Sequence, residues 1–134
     1  MATYTKFQCF VEDLAHGVHD LETDAITVAL SNTAPSASAD AVLGDITTVS
    51  TANLDDVTPT VSSSSQTSGT YKLVLADLTM TASGAVGPFR YVILFNDTAA
   101  SDPLICFFDY GSEVTLAKDD TFKLDFGTEL FSLA

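Results

Sequence analysis

What limits this chain most is a period of two, carried in short runs that glycine, proline, asparagine and aspartate repeatedly interrupt. Tyr71, Leu73 and Leu75 alternate with Lys72 and Val74, and Leu78, Met80 and Ala82 repeat the pattern. Phe122, Leu124 and Phe126 alternate again with Lys123 and Asp125. An extended chain turns successive side chains to opposite faces, so each run offers one apolar face to a core. Ala25–Leu30 is a β-branched run that ends at Asn32-Thr33-Ala34-Pro35, where proline removes a ladder donor. Phe89–Phe95 is nearly all apolar apart from Arg90, which predicts a central strand buried on both faces. Leu104–Tyr110, Val114–Leu116 and Glu129–Leu133 are further strand candidates, separated by Asn96–Pro103, Gly111 and Lys118-Asp119-Asp120. Some eight to ten short strands about 8–12 residues apart predict an all-β fold. We expect one antiparallel β-sandwich or jelly-roll-like barrel over residues 1–134, with at most a short N-terminal helix or turn.

Two stretches depart from this pattern. In Lys6–Leu21, the residues Phe7, Phe10, Val11, Leu14, Val18 and Leu21 recur at helical spacing, with Gly17 among them. The expectation is an extended Thr3–Phe10 followed by a short helix or structured turn over Val11–Leu21. Residues 36–69 are rich in Ser, Thr, Ala and Asp, and read as a flexible loop region, either mobile or ordering only on a partner. Asp45–Val49 and Val57–Ser62 are its weak strand candidates, and Ser62–Ser65 reads as a loop tip.

The charge is one-sided. Five Lys and Arg face 18 Asp and Glu, a formal charge of −13. Binding nucleic acid or an anionic membrane needs clustered cations, so both are excluded as partners. No apolar run approaches the length of a membrane span. The first residues lack the basic start and apolar stretch of a secretory signal, and a reducing compartment is expected. Cys9 and Cys106 each lie in an apolar run and read as buried free thiols, although a disulfide between them stays geometrically open.

Reactive constellations are thin. His16 and His19, followed by Asp20, Glu22 and Asp24, would share a helical face and resemble part of a metal site, but no other His or paired Cys completes it. Asp55-Asp56, Asp97 with Asp102, and Asp119-Asp120 lie in loops, where aspartate bonds its own backbone; no calcium-loop pattern surrounds them. No nucleophile elbow or phosphate-binding glycine loop is present, so the expectation is no enzyme, no cofactor and no metal. Arg90, the sole arginine, reads as paired with an Asp inside the domain or as an edge residue with its head in solvent, with one half of a salt bridge between subunits as the functional alternative.

Three segments together resemble a known group. They are Phe7-x-x-Phe10-Val11-x-Asp13-Leu14-Ala15-x-Gly17-Val18-His19 running on to Val28-Ala29-Leu30, Asp77–Gly84 leading to Gly87-Pro88-Phe89-Arg90-Tyr91-Val92-Ile93-Leu94-Phe95-Asn96-Asp97-Thr98, and Pro103–Ser112 with Asp120–Leu124. The pattern resembles small β-rich virion structural proteins of tailed bacteriophages. The resemblance implies a capsid decoration (cement) protein, assembled in the host cytoplasm and seated on the capsid exterior. It would bind the major capsid protein and copies of itself, commonly as a homotrimer. Residues 2–10 are the candidate extended arm, with Tyr4, Phe7, Phe10 and Arg90 as candidate partner-interface residues; an internal edge strand is the competing reading. Within the same class stand a tail, head–tail connector or fibre-base protein. Outside it stands a carbohydrate-binding adhesion module, with Tyr4, Tyr71, Tyr91 and Tyr110 as stacking platforms.

Overall fold

The computed structural model describes residues 2–134. Ten strands and one helix follow in order: β1 Thr3–Lys6, α1 Gln8–Ala15, β2 Ile26–Ser31, β3 Thr48–Val49, β4 Val61–Thr67, β5 Thr70–Leu75, β6 Leu78–Thr81, β7 Val86–Asn96, β8 Leu104–Leu116, β9 Thr121–Leu124 and β10 Phe131–Leu133. They form an all-β, open sandwich-like architecture with antiparallel pairing throughout. A five-stranded sheet has the order β1-β8-β7-β2-β3, a three-stranded sheet β10-β5-β4, and a two-stranded sheet β6-β9.

The alternating runs do what their period requires. Leu73 and Leu75, then Leu78, Met80 and Ala82, turn inward from the smaller sheets. They meet Ile26, Val28 and Leu30 of β2 and Val92 and Leu94 of β7 in the main core. Burying each of these side chains larger than alanine contributes about 1.5–3 kcal/mol. Strand β7 lies in the middle of the large sheet, and Tyr91–Asn96 is buried without a break. Its other face carries Tyr91, Ile93 and Phe95 into a second cluster with Phe7, Leu104 and Phe107. Ala37, Leu43 and Ile46 close that cluster from outside. Backbone bonds from Gln8 N–H to Ala37 O, Leu43 N–H to Asp102 O and Leu104 N–H to Ala41 O hold this cover in place.

Four expectations are corrected. The extended segment stops at Lys6, and the helix begins at Gln8, earlier than Val11, because Phe7 and Phe10 are both drawn into cores. Cys9 accordingly lies on α1, not in a strand. The helix ends where Gly17 takes φ +73, with bonds from Val18 N–H to Asp13 O and Gly17 N–H to Leu14 O. This left-handed glycine satisfies the last carbonyls of the helix. Residues 36–69 are built into the fold: they include β3, β4 and a 3-10 turn at Leu43–Asp45. Ser62–Ser65 is strand, and the hairpin tip lies at Ser68-Gly69. The ladder to β5 overrides the weak strand preference of serine, and Ser64 Oγ lies 2.7 Å from the Tyr71 hydroxyl.

Candidate interaction surfaces

The four candidate interface residues separate into two kinds. Phe7 and Phe10 are fully buried in the chain's own cores, so they offer no surface to a partner. Within the arm expected over residues 2–10, Thr3–Lys6 is an edge strand paired with β8 of the same chain, Thr3 opposite Asp109 and Lys6 opposite Cys106, and residues 8–10 belong to α1. Tyr4 remains partly exposed, edge-on to Phe108 at 5.6 Å between ring centres. Burial is the main influence raising its hydroxyl above the ordinary tyrosine range. Arg90 grips Asp109 with two bonds, Nε to Oδ1 at 2.8 Å and Nη2 to Oδ2 at 3.2 Å. Its guanidinium also lies 5.4 Å from the centre of the Tyr91 ring. This is the pair inside the domain; the bonds from Arg90, then from the Gly111 N–H, hold the Asp109 carboxyl below its usual range.

The turn after α1 carries a polar network that the sequence did not reveal. Asn96 Oδ1 accepts the N–H groups of Thr98 at 2.9 Å and Ala99 at 3.0 Å. Its amide nitrogen must therefore donate, and it reaches Asp24 Oδ2 at 2.7 Å and His19 Nδ1 at 3.0 Å. Nδ1 of His19 is thus an acceptor, and the neutral ring carries its proton on Nε2, a buried atom without a partner. The ring packs on Phe10 at 5.1 Å and borders a cleft of about 500 Å³ with Leu14, Leu21, Ser64, Tyr71 and Leu133. His16 lies apart on the exposed helix end, 3.9 Å from Glu12, so the two histidines do not share a face.

Burial lowers the pKa of His19, opposed more weakly by Asp13 and Asp24. The unfolded ring takes its proton near pH 6.5, the folded ring only at lower pH. Between those values the unfolded chain binds more protons, so stability falls as pH drops below about 6.5. Urea unfolding at about pH 7.5 and about pH 5.5 is expected to show this decline, and His19→Gln is expected to flatten it. Equal slopes in the two proteins would contradict the assignment. Asp20, Asp45 and Asp109 have lowered pKa values and lose their contributions only below about pH 4, outside this window.

Several of the loop aspartates act on backbone. Asp55 accepts the Thr81 N–H, Asp56 that of Thr58 and Asp120 that of Ala117, each near 3 Å. Among the described residues no group of three His, Cys, Asp or Glu is placed to hold a metal ion. Both cysteines are free, and burial pushes both thiols upward, so each stays protonated. Tyr91 is buried, while Tyr4, Tyr71 and Tyr110 pack against Phe108, Phe131 and Phe122, so the four tyrosines form no shared platform. No described helix is long and apolar enough to cross a membrane.

The open features are strand edges. β1 and β3 border the large sheet, and β4 and β10 border the three-stranded one. β4 is the longest of these, and its residues are exposed except for half-buried Val61 and Ser64. The signal for it was present in the sequence as the stretch from Val57 to Ala76, which contains no acidic residue. No family model, curated protein or solved structure matches this chain.

Proposed function

We propose that this chain is a capsid decoration protein of a tailed bacteriophage. It binds the outside of the assembled shell and joins neighbouring major capsid subunits. The observation that carries the reading is the set of open sheet edges, above all β4. Unpaired strand edges accept an added strand from a neighbour, and affinity then comes from backbone bonds and buried area without any reacting group. The chemistry elsewhere supports adhesion over catalysis: the thiols are protonated, and the hydrogen-bonded ring nitrogen of His19 faces an amide, not a hydroxyl nucleophile. A charge of −13 keeps copies soluble and repels packaged nucleic acid.

The test is to add the purified chain to shells that lack it. Saturable binding and survival of the shells to higher temperature are expected. Binding to isolated tails or connectors in place of shells would move the protein to that part of the virion. Binding to polysaccharide with none to particles would replace adhesion to protein by adhesion to sugar.

A further inference from the structure

The edges of the sheets are not equally protected. β1 ends in Lys6, β3 has two residues, and β10 has three and follows Glu129 closely. In the two-stranded sheet, β6 follows Asp77, while β9 contains Lys123 and follows Asp119-Asp120. Short length and charge are the usual guards against edge-to-edge pairing. β4 has neither: Val61-Ser62-Ser63-Ser64-Ser65-Gln66-Thr67 is seven residues without a charge or a proline. Its one irregularity is a register shift between Val61 and Ser63 at the far end from the hairpin tip. No backbone bond beyond the β4–β5 ladder engages Ser62–Thr67 among the described residues.

We propose that β4 pairs antiparallel with β4 of a second copy, about a two-fold axis at Ser64. Low local charge favours this place. Two copies at −13 repel over most of their surfaces, whereas the β4–β5 hairpin carries no carboxylate of its own; Asp20 and Glu22 border the cleft beside Ser64, and Glu129 lies 3.9 Å from Lys72. The strand is also complementary to itself. Pairing about Ser64 sets Ser63 opposite Ser65 and Ser62 opposite Gln66, so hydroxyls and amides face one another, and sets Val61 opposite the β-branched Thr67. The product is a continuous six-stranded sheet, β10-β5-β4 from each copy. Such a contact is isologous and closes at two. It deepens the decoration reading by naming a self-contact, and rests on that reading only for its setting on a shell.

The experiment measures mass in solution against concentration and salt. The wild-type chain is expected to form a dimer that tightens several-fold from about 0.01 M to about 1 M salt, as the screening length falls from about 30 Å to about 3 Å. Ser63→Asp with Ser65→Asp, and separately Ser63→Lys with Ser65→Lys, are expected to give folded monomers. Mixing the two variants is expected to restore a dimer, which misfolding of either would not permit. A wild-type monomer under all conditions, a trimer, or variants that dimerise like the wild type would each overturn the pairing. Shell binding is scored separately: decoration by a monomer or trimer sinks the pairing alone, and a dimer that ignores shells sinks decoration alone.

Discussion

Replacing Phe10 with serine is expected to destabilise the chain by about 4 kcal/mol or more, close to the whole stability of a marginal domain. Phe10 is 1% exposed. Its ring meets Phe131 edge-on at 5.3 Å and the His19 ring at 5.1 Å, so it ties α1 to both β10 and the turn after the helix. Truncation opens a cavity at that junction and leaves a hydroxyl inside it. Val11, the next residue on the same helix, is 54% exposed. Val11→Ser is expected to cost no more than about 0.5 kcal/mol. Urea unfolding followed by circular dichroism compares the two. A loss below about 1 kcal/mol for Phe10→Ser would mean that the ring is not part of the core.

Gly87→Ala is expected to be nearly as damaging, at about 3 kcal/mol or more. The residue has φ +103, and a Cβ built there would lie 2.6 Å from the Val114 carbonyl oxygen and 3.2 Å from the Phe89 nitrogen. Both neighbours are backbone, so relief requires β7 and β8 to part where Phe89 lies opposite Val114. Gly111 provides the comparison: it has φ +79 and open space within 4 Å of a Cβ. Gly111→Ala therefore bears the conformational cost alone, about 1–2 kcal/mol. Equal losses at the two positions would remove the close approach from the explanation.

Much of the β architecture was legible because its cause is local. Leu73, Leu75, Leu78 and Met80 alternate by the geometry of an extended chain, and that alternation survives in the fold. The run from Tyr91 to Phe95 likewise announced a strand with two covered faces. What was not legible depended on partners distant in sequence. Phe7 and Phe10 look alike on paper, yet one enters the cluster with Phe107 and the other the cluster with Leu73. The serines of β4 carry little strand preference and take their conformation from Tyr71 and its neighbours across the hairpin. The His19–Asn96–Asp24 network joins residues on the first turn and on the end of β7, a pairing that no spacing encodes. An ion pair inside the domain was one of the readings open for Arg90, and only the β7–β8 register selects it and Asp109.

The cover over the second face of the large sheet has a geometric consequence. With Ala37, Leu43 and Ile46 on one flank and the smaller sheets on the other, a neighbour approaching from above or below meets loops or the outer strands and not the middle of the large sheet. Contact along an open strand edge adds a neighbour without disturbing that cover, as with tiles that touch at their borders. Units joined in this manner would extend a surface without thickening it.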